Sequence, residues 1–133
     1  MNWRLVLLLS LFGLAMGIAT VFLVPSKVEP LVWLAIFVAC AVIIAKRAPG
    51  KYFLHGLCVS LLNSVWITAS HVLLFDHYIA SHAQEAAMMK GMPIAPRVMM
   101  VATGPVVGLI SGLILGLFAF IAAKIIRPPL ATA

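Results

Sequence analysis

Residues 98–126 read VMMVATGPVVGLISGLILGLFAFIAAKII, and this stretch decides the fold because it is apolar almost from end to end. A helix of this length is more than sufficient for a hydrocarbon core of about 30 Å. Glycines recur at every fourth position within it: Gly104, Gly108, Gly112 and Gly116. That spacing places them on one helix face, which another helix can approach closely. The stretch therefore predicts a membrane-spanning helix with a close-packing face.

Three more apolar runs precede this one, at about residues 5–24, 30–45 and 52–75. Proline and glycine separate them, since neither continues a helix well. The breakers are Pro25 and Pro30, then Pro49 and Gly50, then Gly91, Pro93 and Pro96, with Pro128 and Pro129 after the last span. The sequence predicts an all-α integral membrane protein, a single domain over residues 1–133, built as a four-helix bundle of two helical hairpins. The first run exceeds the 7–15 apolar residues of a signal peptide, so we expect it to be retained as a span.

The third span has no helix breaker until Gly91, and good helix formers fill residues 76–90. The sequence therefore predicts one continuous helix from about residue 52 to residue 90, extended beyond the bilayer.

Composition supports the membrane interpretation. Of 133 residues, 65% are apolar and 9% charged, whereas soluble domains carry about 25% charged residues. The net charge of +6 comes from residues at span ends, which favours lipid head groups over nucleic acid as the partner. Cys40 and Cys58 lie inside apolar runs and are expected to be small buried residues without a disulfide.

The basic residues divide unequally between the two ends of the predicted spans. Six lie at one end (Arg4, Lys46, Arg47, Lys51, Lys124 and Arg127) and three at the other (Lys27, Lys90 and Arg97). The positive-inside rule then predicts that both termini are cytoplasmic. The alanine-rich and leucine-rich spans favour a bacterial inner membrane.

The glycine pattern has two interpretations. The first span carries a shorter version, Gly13 and Gly17, so the first and last spans are candidate packing partners. The same glycine zipper could instead build a homo-oligomer or a larger membrane complex.

Polar residues form a stripe on the third helix. A candidate polar track of Ser60, Ser64, His71 and Tyr78 shares one helix face, and His82 and Glu85 continue it. Within a span such residues usually face other helices or a water-filled cavity. His55, Asn63 and Ser70 form a second track.

His77, His82 and Glu85 are candidates for holding a metal or a partner. The spacing of His82 and Glu85 places imidazole and carboxylate on adjacent turns, which suits a metal or a proton path. The alternative is that they solvate a protruding helix end. Haem would need histidines on the other three spans, which have none, so we expect no cofactor apart from this metal.

No catalytic motif is present, so we expect no enzyme activity. The layout resembles a loose group of small four-span bacterial membrane proteins that share a domain of unknown function. The matching stretches are residues 76–90 and 104–127, and the resemblance implies no activity.

Three functions remain. The leading one is a packing, assembly or partner-binding membrane component. The alternative is a small channel or transporter that uses the polar track, although no acid lies within a span. The third is a metal-binding membrane protein.

Overall fold

A computed structural model describes residues 1–127, which form six α-helices and no strand. The helices are α1 (Trp3–Phe22), α2 (Glu29–Arg47), α3 (Tyr52–Leu73), α4 (Phe75–Ser81), α5 (Ala83–Met89) and α6 (Pro96–Ile126). The four long helices α1, α2, α3 and α6 are each long and apolar enough to cross a membrane. The prediction of an all-α integral membrane protein with four spans is thus confirmed. Pro128 and Pro129, which predicted the end of the last span, lie outside the described residues.

The prediction of one continuous helix from residue 52 to residue 90 is wrong. The helix breaks at Leu74 and again at His82, where ψ is 30° and 68°. Tertiary contacts explain the breaks, because α4 packs against the end of α1 and Ser81 donates to the Val21 carbonyl. Helix propensity contributes only tenths of a kcal/mol per residue and is readily outweighed by such contacts. Together α4 and α5 form a cap, and the end of the molecule that holds them is called the capped end below.

The helix α3 lies between α1 and α6 and packs extensively on both, whereas α2 packs mainly on α6 and touches α3 and α1 only slightly. The first two long helices are therefore not a closely packed pair. Because α2 leans on α6, space remains between α2 and α3.

Short connections join the helices at both ends. At the end opposite the cap, Gly50 has φ 150° and Lys51 φ 50°, so the chain reverses through a conformation that favours glycine. The Arg127 guanidinium donates to the carbonyls of Lys46 and Ala48 and so satisfies the C-terminal end of α2. Helix α6 continues through Pro105 without interruption.

The outward faces are apolar. Leu8, Leu34 and Ile114 are about half exposed, at 58%, 51% and 45%. Such faces suit lipid, because a lipid chain is as apolar as they are.

Candidate functional site

The glycines of α6 form a seam with α3. An added Cβ at Gly104, Gly108, Gly112 or Gly116 would meet Thr68, Ser64, Leu57 or Phe53 respectively, each on α3. Partner numbers fall as glycine numbers rise, so the two helices are antiparallel. The glycines of α1 also face α3, since Gly13 lies on Asn63 and Gly17 on Ser70. The prediction that the first and last spans pair with each other is therefore wrong: both pack on the helix between them.

A second seam, made of hydrogen bonds, joins α1 to α3. The Asn2 backbone N–H donates to His55 Nε2 at 3.0 Å and the Trp66 indole to Ser10 at 3.2 Å. The Asn63 Oδ1 accepts from the Gly13 N–H at 3.1 Å. Partner numbers rise roughly together, so α1 and α3 are parallel. Buried polar groups in spans need such partners, because lipid supplies none.

The fourth bond of this seam joins Thr20 to a histidine. Thr20 Oγ1 lies 2.8 Å from His71 Nε2 and also 2.8 Å from the Met16 carbonyl, to which it can donate. The tautomer of His71 decides which of the two side chains donates to the other.

A cavity of about 420 Å³ opens between α2, α3 and α6. Small-molecule sites in proteins typically measure about 300–1,000 Å³ and are mostly apolar with a few polar groups. This cavity has that character. Its apolar wall is formed by Pro30, Trp33, Leu34, Phe37, Ile67 and Val107, and its polar groups come from Glu29, Ser60, Asn63, Ser64 and Ser111.

Asn63 is the least satisfied polar group of this wall. Its side chain is 2% exposed, and its Nδ2 donor has no hydrogen-bond partner among residues 1–127. Leaving such a donor unpaired costs about 1–3 kcal/mol. Ser64 donates to the Leu61 carbonyl at 2.7 Å, which leaves its oxygen free to accept. Asn63 and Ser64 thus contribute a buried amide and a hydroxyl to the wall of the cavity.

The facing wall on α2 carries a carboxylate beside aromatic rings. Trp33 Nε1 donates to Glu29 Oε1 at 3.3 Å. The rings of Trp33 and Phe37 meet edge to face, with centroids 6.0 Å apart. Glu29 begins α2 and so lines the cavity at its capped end, whereas Ser60 and Ser111 lie further from the cap.

A second cavity of about 220 Å³ adjoins the first and shares Ser64, Ile67 and Val107 with it. His71 and Tyr78 line its far side. Their rings stack at 4.3 Å, and Tyr78 stacks in turn on His82 at 4.2 Å. The predicted track of Ser60, Ser64, His71 and Tyr78 therefore continues from one cavity into the next, although the helix that carries it is broken.

Two groups of the cap have shifted pKa values. Burial, followed by the charges of Glu85 and Glu29, raises the pKa of Tyr78 to about 12. Burial alone would raise the pKa of Glu85, but hydrogen bonds from Ser26 and from its own backbone, together with neighbouring His82, outweigh burial and hold the pKa below its ordinary value. Tyr78 therefore stays neutral and Glu85 stays charged at neutral pH, with negative charge close to the cavities.

The structure separates the three candidate metal or partner residues. His77 is exposed and packs on Phe22, with ring centroids 5.5 Å apart. Glu85 accepts from Ser26 at 2.8 Å. His82 is 4% exposed; its Nδ1 donates to the Tyr78 carbonyl at 2.9 Å, and its buried Nε2 has no partner within the described part of the chain. Within residues 1–127 no three histidine, cysteine or acidic side chains are grouped as a metal site requires.

Sequence reasoning missed four contributors to the cavity: Glu29, Trp33, Asn63 and Ser111. Asn63 was placed on a separate polar track from Ser60, yet the two line the same space. An asparagine in the middle of an apolar run was the available signal, because amides are costly there without a partner. Gly56, which meets Gly116 on α6, was also missed, since it stands outside any glycine repeat.

Comparison of the chain with models of protein families, with curated proteins and with solved structures finds no match.

Proposed function

We propose that the protein binds a small amphipathic molecule within the membrane, in the cavity between α2, α3 and α6, as a small transporter does. This develops the transporter hypothesis that the polar track on the third helix suggested. The observation that carries it is Asn63, a nearly buried amide with an unpaired donor in the wall of a cavity of ligand size. A bound polar group would supply the missing partner and recover the cost of burying that donor.

The geometry supports self-association of the protein through the glycine face of α6 less well than it supports binding in the cavity. Gly108 and Gly112, which were expected to build an oligomer, are already covered by α3 of the same chain. A second chain would have to displace α3 to reach them. The remaining outward faces are apolar in the manner expected of contact with lipid.

The proposal includes an arrangement in the membrane. The four long helices would form a bundle in a bacterial inner membrane, with both termini cytoplasmic. The end with six basic residues would face the cytoplasm, following the positive-inside rule. The cap and the mouth of the cavity at Glu29 would then face outward, so that the molecule enters from the outer leaflet or the outer surface.

Filling the cavity tests the proposal. Ser111→Phe places a ring in the cavity, whereas Ala102→Phe places the same ring on an exposed part of α6. The three proteins are purified in mild detergent and their extracts compared by mass spectrometry. We expect wild type and Ala102→Phe to carry a small molecule in stoichiometric amount that Ser111→Phe lacks. Identical extracts from all three would show that the cavity retains nothing.

A further inference from the structure

The charge and ring chemistry of the cavity wall restrict what it can hold. Glu29 is the only charged residue that lines either of the two adjoining cavities among residues 1–127, and no lysine or arginine does so. The wall therefore presents one negative charge with no positive counterpart. A buried anion beside Glu29 would be repelled, and a neutral molecule would leave the carboxylate without a partner of opposite charge.

Aromatic rings stand next to that carboxylate. Trp33 lies one helical turn from Glu29 and donates to it, and Phe37 lies one turn further in. Tryptophan is the best aromatic partner for a cation, above all in a site with little water. A carboxylate with adjacent tryptophan suits an alkylammonium group, which pairs with the charge and contacts the ring at the same time.

The deeper wall suits the rest of such a molecule. Leu34, Ile67 and Val107 offer an apolar surface for a hydrocarbon or ring system. The Nδ2 of Asn63 has no partner among residues 1–127 and would take an acceptor such as an ether, ester or hydroxyl oxygen.

We infer that the bound molecule is a lipophilic amine or quaternary ammonium compound, whose cationic group lies between Glu29 and Trp33 and whose apolar body reaches toward Asn63. The inference rests on the proposed function, because it names the class of molecule that the same cavity takes.

Three decyl amphiphiles with a nitroxide in the head group provide the test. They differ only in head charge: a quaternary ammonium, a neutral ether and a phosphate ester. A nitroxide quenches tryptophan fluorescence at short range, so binding is followed through Trp33 in the Trp3→Phe protein reconstituted in lipid nanodiscs. In the Ser111→Phe variant the cavity is filled, so any quenching that remains is background from probe dissolved in the bilayer and from quenching of Trp66. Should that variant misfold, Val107→Phe replaces it, because Val107 also lines the cavity.

We expect the quenching to be saturable. The affinity that it reports should be about tenfold or more higher for the ammonium probe than for the ether, and lowest for the phosphate. Glu29→Gln keeps the acceptor for Trp33 and should bring the ammonium probe down to the affinity of the ether. Asp76→Asn removes a carboxylate at the same end that is 91% exposed, and should leave the preference unchanged.

The outcomes separate the two ideas. Equal affinity for the ammonium and ether probes, or an unchanged preference in Glu29→Gln, would overturn the cation inference while the cavity remained a binding site. If none of the three probes shows saturable quenching that is lost in Ser111→Phe, the proposed function itself is overturned.

Discussion

Gly56 of α3 lies directly against Gly116 of α6, so closely that a Cβ on Gly56 would stand 2.7 Å from the Gly116 Cα and from its backbone nitrogen. Both neighbours are backbone atoms, which cannot rotate away as a side chain can. This contact sets the closest approach of α3 and α6 near the end opposite the cap. The cavity opens further along, where α2 and α3 are held apart.

Replacing Gly56 by alanine should destabilise the protein by about 1–3 kcal/mol, because the added methyl overlaps backbone. Gly112→Ala is the matched control: its Cβ comes closest to Leu57 Cδ1, the end of a flexible side chain, at 2.8 Å, and its nearest backbone atom, the Leu57 carbonyl oxygen, lies at 3.1 Å. Both changes bring the same gain in helix propensity. Reversible unfolding in mixed micelles measures the two free energies, and equal costs would show that the Gly56 contact is not unusually tight.

The Thr20–His71 hydrogen bond should couple α1 to α3 by roughly 0.6 kcal/mol, the average for such bonds between membrane helices, and by no more than about 1.7. A double-mutant cycle with Thr20→Val and His71→Phe measures it, and phenylalanine preserves the stack on Tyr78. Ser10→Ala with His71→Phe is the control cycle, because Ser10 pairs with Trp66 instead. Coupling of equal size in the control would contradict the assignment.

The contact between Glu85 and Ser26 should make the cap dependent on pH. Because the folded pKa of Glu85 lies below the ordinary pKa of a glutamate, its stabilisation is present above that ordinary value and lost as the pH falls through the folded value. The side chain of Glu85 is partly exposed to solvent, which screens its charge, so the effect should stay below about 1 kcal/mol. Hydrogen exchange of residues 83–89 should be faster in Glu85→Gln than in wild type at neutral pH, and the two should converge in acid. If the two proteins differ in exchange rate by the same factor at all pH values, the charge of Glu85 is not the cause. Ser26→Ala should also speed exchange of residues 83–89 at neutral pH.

Asn63→Leu should separate stability from binding. The change removes an unpaired donor, which offsets the lost contact with the Gly13 N–H, so stability should change by less than about 1 kcal/mol. The small molecule retained by the cavity should nevertheless be lost from purified protein. Thermal unfolding and mass spectrometry of the extract give the two quantities. Retention of the molecule at wild-type level would remove Asn63 from the site.

The proposed orientation makes Met92 external and Pro49 internal. Both are exposed loop residues, so each is replaced by cysteine in a chain whose Cys40 and Cys58 have become alanine. A thiol reagent that does not cross membranes should label Met92→Cys in intact cells, and Pro49→Cys only after the membrane is opened. The reverse pattern would invert the topology.

Much of the fold could be predicted from the sequence because it depends on local properties. Apolar runs long enough for a bilayer, separated by proline and glycine, located the four spans. The predicted ends lie within about two residues of the observed helix ends. The register of glycines predicted a close-packing face on the last span, and in the structure these glycines lie against α3. These features follow from chain length, hydropathy and helical periodicity, and none of them needs the position of another helix.

The partner of each face was decided by tertiary structure alone. The glycine pattern made α1 and α6 candidate partners of each other, yet both pack on α3, because a small residue permits close approach without specifying which helix approaches. The breaks at Leu74 and His82 arise from contact between α4 and the end of α1, in a stretch whose own residues favour helix. The cavity exists because α2 leans on α6 and away from α3, which brings Glu29 and Trp33 opposite Asn63 although they are distant in the chain. Sequence determined which segments lie in the membrane, since burial in lipid is a property of each segment, and packing between segments determined the site, since a cavity belongs to none of them alone.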